Sequence, residues 1–355
     1  MTSPERTKRA PTPQKAYLVL GMHRSGTSAA TQLLALAGAQ LPDNVMPGDE
    51  HNARGYFEPW RVAVFNDRRL RAGGGAWDDP FAFPYRPTPD EAGWRSEAAE
   101  LFRREYRGAK TPLLKDPRVS VLMPLWRPVL EGERLSLRCV IPVRHPLAVA
   151  GSLERRDQFP TAKSVLLWMT YMLAAEVGSR DLPRAFLDYD SLLADWRPEV
   201  ARLEAALGEP LPNLTDSAGK KIDAFLSPEL RHNSGAGDMT GLGQLGNAAQ
   251  AVYDWFQTAA HGAQPDPVPL TRAAALLAQM QADFGVYVSP VTQALDAAKA
   301  DLADARRALA FEVDRNGELV ARGERTQLKL ESEIRRLIAE RAAIEGSVDA
   351  LLAAR

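Results

Sequence analysis

The first unbroken apolar run in the chain is Ala16-Tyr-Leu-Val-Leu20. Consecutive apolar residues without alternation predict a strand buried on both faces, as in a parallel sheet. A turn follows, Gly21-Met-His-Arg-Ser-Gly-Thr-Ser28, and then Leu33, Leu34, Leu36 and Ala37 at helical spacing before Gly38. That pattern predicts a helix with a glycine stop. A similar series recurs later. Leu137-Arg-Cys-Val-Ile-Pro-Val143 reads as a second buried strand, and Pro146 opens a helix running to about Arg156. Trp168 and Tyr171, at helical spacing, read as core.

Three stretches lack such periodicity. Residues 1–15 read as a flexible arm. Residues 73–93 are rich in Gly, Pro and aromatics and too long for a simple connection, which marks a functional or mobile loop. Residues 232–248 are rich in Gly, Asn and Ser. After Pro290 the pattern changes: no proline follows, and Ala, Leu, Glu and Arg dominate. Ser289-Pro290 reads as a helix start, with a capping side chain and then proline at the first helical position. Leu330, Ile334, Leu337, Arg341, Ile344, Val348 and Leu351 alternate steps of four and three. Leu295, Ala298, Leu302, Ala305 and Leu309 form a second run out of phase with it, and Asn316, Gly317 and Gly323 lie between. Two coiled-coil segments joined by a hinge or stutter are expected, and through them self-association or partner binding. The division expected is an arm over 1–15, a catalytic domain over 16–290 and a helical tail over 291–355.

Composition narrows the class. The chain has 355 residues and a formal charge of −1, which argues against bulk nucleic-acid binding. One cysteine, Cys139, excludes a disulfide framework, and five scattered histidines show no zinc pattern. No apolar stretch approaches a membrane span, and the basic N-terminus has no apolar run of the signal-peptide kind. A cytoplasmic protein is the expectation.

The chemistry sits in the turns. Strand, glycine loop, helix presents backbone N–H groups and a helix N-terminus to a phosphate. Gly21 and Gly26 have the spacing of the P-loop GxxxxGK[ST], but Thr27 and Ser28 follow where Lys and Ser/Thr are required. The cation is Arg24 instead, whose planar fork suits phosphate or sulfate oxygens. Arg144 follows the second strand, where open α/β sheets bind ligands, and Ser152 lies eight residues on, in the next helix.

Together, Arg24-Ser-Gly-Thr-Ser28 and the Arg144/Ser152 pair, about 120 residues apart, resemble the P-loop sulfotransferases. These use 3′-phosphoadenosine-5′-phosphosulfate (PAPS). The likeness is greatest to bacterial members with a GMHRSGTS loop, an N-x-RGYFE segment (Asn52 to Glu58) and a KDPR segment (Lys115 to Arg118). It spans about residues 16–290, is weakest after Asp190 and does not reach the tail.

The resemblance implies an α/β fold with a P-loop-type parallel sheet flanked by helices. It implies transfer of a sulfuryl group from PAPS to an acceptor hydroxyl or amine, a glycan being the first expectation, with no metal required. Ser25, Gly26, Thr27 and Ser28 would hold the 5′-phosphate. Arg24 would stabilise the separating charge, and Arg144 and Ser152 would bind the 3′-phosphate. Glu58, oriented by Arg61 and Asp67, is the candidate general base, with Asp116 and His51 as alternatives. Lys115 is a candidate second cation at the sulfuryl group. Arg231 is a candidate for a late basic loop over the nucleotide, and Phe186 to Asp190 matches a later core strand. His23 and His145 could touch phosphate, with packing or capping equally open. Trp77, Phe81, Phe83 and Tyr85 are expected at the acceptor pocket. The competing readings are a P-loop kinase of a small metabolite and a non-catalytic scaffold.

Overall fold

A computed structural model describes residues 13–48, 55–226 and 237–353, with side chains as far as residue 341. The first strand, β1 (Gln14–Val19), starts two residues before the apolar run. Gln14 and Lys15, expected in the arm, pair instead with Leu135 and Ser136. The rest of the arm, residues 1–12, lies outside the described residues.

After the 21–26 turn comes α1 (Thr27–Leu36), then α2 (Trp60–Ala72), α3 (Glu91–Glu105) and the short β2 (Leu113–Lys115). Next are α4 (Arg118–Val121), α5 (Met123–Gly132) and β3 (Leu135–Val143). That strand runs into α6 (Pro146–Asp157), with proline at the start as predicted, and α7 (Thr161–Ser179) leads back to β4 (Arg184–Asp188). The remaining helices are α8 (Tyr189–Ala194), α9 (Trp196–Leu207), α10 (Asp216–Phe225), α11 (Gly243–Ala260) and α12 (Val268–Ala353).

The four strands form one parallel sheet in the order β2-β1-β3-β4. Helices cover both faces, so the strands have no polar side, which explains the unbroken apolar runs. Side chains alternate across the sheet. Tyr17 and Val19 pack with Leu33 of α1 and Leu203 of α9, while Leu18 and Leu20 pack with Trp126 of α5 and Trp168 of α7. Trp168 and Tyr171 are fully buried. The chain passes from β1 to β2 on one side, and β3 pairs on the other. That reversal of strand order falls at the carboxyl ends of β1 and β3, the position at which such sheets take ligands.

The 73–93 stretch is tied down. Thr170 Oγ1 donates to the Pro80 carbonyl at 2.5 Å, and the Tyr171 hydroxyl donates to the Trp77 carbonyl at 2.6 Å. Phe81 is 2% exposed and belongs to the core, which corrects its expected place at an acceptor pocket.

The tail helix does not start at Ser289-Pro290. It starts at Val268 and carries Pro290 in its interior. The first part of α12 is already an amphipathic core helix, with Leu270, Ala273 and Leu277 buried, so the missing proline N–H costs one hydrogen bond in a helix held by packing. Ser289 is no cap. Its hydroxyl donates to Asp79 Oδ1 at 3.1 Å and accepts from Arg86 Nη2 at 3.1 Å. The helix also passes through Asn316, Gly317 and Gly323 without a break, so no hinge separates the two heptad runs. Two compact units result, the first ending at Gln293 and the second Ala294–Arg355. Within the second, Leu302, Leu309, Leu330, Ile334 and Leu337 are each at least half exposed.

The first unit keeps Thr292 buried, and Gln293 Nε2 donates to the Arg71 carbonyl at 2.7 Å. A chain ending after Gln293 is therefore expected to melt within about 2 °C of the full chain. One ending after Pro290 loses about 1 kcal/mol and melts about 2–4 °C lower by circular dichroism. Equal midpoints for the two truncations would contradict this boundary.

Candidate active site

The 21–26 turn uses backbone conformations that few residues tolerate. Gly26 has φ +91°, and a Cβ there would lie 2.3 Å from Tyr189 Cδ2. Arg24 adopts φ 66° although it has a side chain, a strain of about 1 kcal/mol. The start of the turn is clamped from below. Ser120 Oγ of α4 accepts from the Gly21 N–H at 2.8 Å and donates to the Gly21 carbonyl at 3.3 Å. The loop thus ends at the N-terminus of the ten-residue α1, whose first turn carries no acidic residue.

The second strand-end turn meets the first. Arg24 Nε donates to Ser152 Oγ at 2.8 Å, and Arg144 Nη1 donates to the Arg24 carbonyl at 2.9 Å. The Arg144 guanidinium lies over the Tyr189 ring, 4.7 Å from its centroid, and this ring is also the one that Gly26 admits. Arg24, Gly26, Arg144 and Ser152 are therefore one cluster. Thr27 is buried beside them, and Ser28 Oγ donates to the Tyr56 carbonyl at 3.3 Å. Ser25 is fully buried, and its hydroxyl has no hydrogen-bond partner among the described residues, which costs about 1–3 kcal/mol.

Beside the loop is a buried charge lattice. Lys115 Nζ, at the end of β2, donates to Glu58 Oε1 at 2.7 Å and to the Tyr56 carbonyl at 2.8 Å. Arg118 Nη1 lies 3.6 Å from Glu58 Oε2 and 2.9 Å from Asp116 Oδ1, and Arg118 Nε donates to Asp67 Oδ1 at 2.6 Å. Asn66 completes the lattice, donating from Nδ2 to Asp116 Oδ2 and accepting from Trp126 Nε1. Burial opposes the charge on Arg118, but Asp116, Asp67 and Glu58 outweigh it and raise its pKa well above the ordinary arginine value.

The field over the turn is positive. Burial, then Arg156 and Arg144, lowers the pKa of Arg24 below the ordinary arginine value. Burial first, then Arg118, Arg156, Lys115 and Arg24, pushes His23 well below the usual imidazole range. Its ring lies 4.8 Å from that of Trp77 and 5.8 Å from that of Tyr171. His145 plays a different part. Its Nδ1 accepts from the Leu147 N–H at 3.2 Å and caps α6.

Several sequence expectations are corrected or fall outside the described residues. Arg61 does not orient Glu58; it pairs with Glu105 of α3 at 2.9 Å, because α2 turns that face toward α3. Asp67 is joined to Glu58 through Arg118. Phe83, Tyr85 and Trp77 all pack against the core; the Tyr85 hydroxyl bonds to Glu91 and Arg69, and Trp77 stacks on Phe159 beside His23. His51, Asn52, Arg54 and Arg231 lie outside the described residues. Sequence reasoning missed Ser120, Tyr189 and Arg156. The tyrosine stood in plain view beside the acidic strand end, but nothing local signals a ring packed on Gly26.

No protein-family model matches the chain, and no curated protein matches it. Similar solved structures include the sulfotransferase domain of the Synechococcus PCC 7002 olefin synthase, at 18% identity and a TM-score of 0.37, covering 69% of this chain and 98% of that one. The sulfotransferase domain from the curacin biosynthetic pathway is 16% identical, with a TM-score of 0.33 and coverage of 75% and 98%. Retinol dehydratase in complex with androsterone and the inactive cofactor PAP is 15% identical, with a TM-score of 0.32 and coverage of 76% and 82%.

The lattice sets a stability prediction. Glu58→Gln leaves Lys115 and Arg118 short of a buried counter-charge and is expected to cost about 3–5 kcal/mol. Urea denaturation checks it; a loss below about 1 kcal/mol, the range of exposed pairs, would contradict the buried arrangement.

Proposed function

We propose that the chain is a sulfotransferase that moves a sulfuryl group from PAPS to an acceptor hydroxyl and releases 3′,5′-phosphoadenosine. The observation that carries this reading is the joining of Arg24, Arg144 and Ser152 into one cluster at the carboxyl ends of β1 and β3. A ligand with anionic groups at two ends suits it. The loop amides and the N-terminus of α1, with Ser25, Gly26, Thr27 and Ser28, take the 5′-phosphate. Arg144 and Ser152 take the 3′-phosphate, with Arg144 already aligned on Tyr189.

Arg24 stands between the two and is assigned to the bridging oxygen, where charge develops as the sulfur–oxygen bond breaks. Its fork is held at Nε by Ser152, so donor binding and charge stabilisation share one hydrogen-bond system. Lys115 is the second cation, fixed by Glu58 and the Tyr56 carbonyl. Glu58 and Asp116 form the acidic side of the lattice, and Glu58 is the carboxylate first tested as the proton acceptor. The Trp77 indole already stacks on Phe159 with Arg156 over its ring, so glycans are the acceptors to test first on the family resemblance alone. A kinase reading is not favoured, since Thr27 stands where the phosphate-binding lysine belongs.

The catalytic unit is assigned to residues 14–293, and we assign residues 294–355 to self-association, supported by the exposed heptad leucines of the tail. Light scattering is expected to give a mass above that of one chain, falling to a monomer when 294–355 are removed; an oligomer that survives the deletion would refute this role.

Isothermal titration tests the nucleotide reading. The wild type is expected to bind 3′,5′-phosphoadenosine without Mg²⁺ and to leave ATP unbound. Arg144→Ala is expected to weaken binding about 10- to 100-fold, as for loss of a charge-assisted hydrogen bond. ATP binding in place of 3′,5′-phosphoadenosine would overturn the assignment.

A further inference from the structure

Arg156 stands beside the donor cluster, yet neither that cluster nor the charge lattice uses it. The order of groups along α6 is informative. Arg144 comes just before the helix, Ser152 lies within it, and Arg156 follows one turn later. A rise of about 1.5 Å per residue puts Arg156 about 6 Å beyond Ser152 along the axis, away from Arg144. Residues four apart share a helix face, and Ser152 on that face meets Arg24 Nε at 2.8 Å. The Arg156 guanidinium lies over the Trp77 ring, 5.3 Å from its centroid, and that ring lies 4.8 Å from the ring of His23 in the turn. After burial, Arg156 does more than Arg144 to lower the pKa of Arg24.

The fork of Arg156 is only partly occupied. Its Nε donates to Asp157 Oδ2 at 2.7 Å, and the two side chains are 16% and 19% exposed. Nη1 and Nη2 have no hydrogen-bond partner among the described residues. Trp77, itself stacked on Phe159, gives the guanidinium a fixed floor. A cation in the last turn of a helix, paired with its neighbour, is ordinary on a surface. Such a role does not account for a fork held against Trp77 beside Arg24, where like charges repel.

We propose that Arg156 binds a carboxylate on the acceptor, so that the enzyme prefers acidic hydroxyl compounds, an inference that rests on the sulfuryl-transfer reading above. The donor is assigned to the stretch from Arg144 to Arg24, which leaves the far end of α6 for the acceptor. An acidic acceptor is repelled by the phosphosulfate it must approach, and a cation placed between the two offsets that repulsion. With Nε held by Asp157, the two Nη groups present paired N–H donors of the geometry that a carboxylate takes. Lys115 and Arg118 are already held by their carboxylates, which leaves this fork to discriminate among acceptors.

The test compares full-length wild type, Arg156→Gln and Arg156→Lys by isothermal titration. Each is loaded with 3′,5′-phosphoadenosine and titrated with two matched pairs of probes. One pair is glucuronate and glucose; the other is 4-(hydroxymethyl)benzoate and 4-(hydroxymethyl)benzamide. The wild type is expected to bind the acid of at least one pair about 10- to 100-fold more tightly than its neutral partner. Arg156→Gln is expected to lose that preference and Arg156→Lys to keep part of it, with 3′,5′-phosphoadenosine held within about threefold of wild type in both. A merely structural role would weaken acid and neutral probes alike. A wild type with no preference in either pair, or a preference that survives Arg156→Gln, overturns the proposal. So does a larger loss of nucleotide affinity in Arg156→Gln, which gives Arg156 to the donor. All three outcomes leave the nucleotide reading standing. A wild type that binds no 3′,5′-phosphoadenosine removes that reading and this one with it.

Discussion

The site depends on the parallel pairing of β1 with β3. Six residue pairs, from Gln14–Leu135 to Val19–Val140, set the two strand ends side by side. The chemistry of the chain then gathers in the turns that follow those ends. The pairing allows Arg24 to reach Ser152 and Arg144 to reach the Arg24 carbonyl across 128 and 120 positions of sequence. A register slip of one residue would reverse the faces of either strand and separate these groups. Both apolar faces of the sheet resist such a slip, since Tyr17 and Val19 serve one core cluster while Leu18 and Leu20 serve the other.

A second requirement is electrostatic. The turn gathers cations, and Lys115 and Arg118 lie beside it with little exposure. Burying such groups is tolerable only when they are paired and hydrogen-bonded. Glu58, Asp116 and Asp67 supply the pairing, and Asn66 holds Asp116 in turn. The acidic residues around KDPR therefore hold the cations in place near the turn. This division leaves His23, which has no carboxylate partner among the described residues, in a chemical position distinct from that of Glu58.

Much of this was legible because its signals are local. An apolar run, a glycine pair and a proline at a helix start each act over a few residues, so β1, α1, β3 and the start of α6 stand where the sequence reading puts them, give or take two residues. Arg144 and Ser152 both meet Arg24, because eight residues from a strand end into a helix leave little freedom. The tertiary partners were not legible. Arg61 pairs with Glu105 because α2 packs on α3, and Phe81 is buried because α7 holds the stretch around it. Ser289 looks like a cap in sequence but answers to Asp79, 210 positions away. Pro290 sits inside a helix because residues before it are already packed, a fact that propensity alone does not carry.

If the two strand-end turns form one nucleotide site, a structure of the full chain in complex with 3′,5′-phosphoadenosine will show it. The 3′-phosphate is expected on the Arg144 guanidinium and Ser152 Oγ, and the 5′-phosphate on the amides of the 21–28 turn. A nucleotide bound elsewhere, or one that touches the turn while its 3′-phosphate points away from Arg144 and Ser152, would refute the single site.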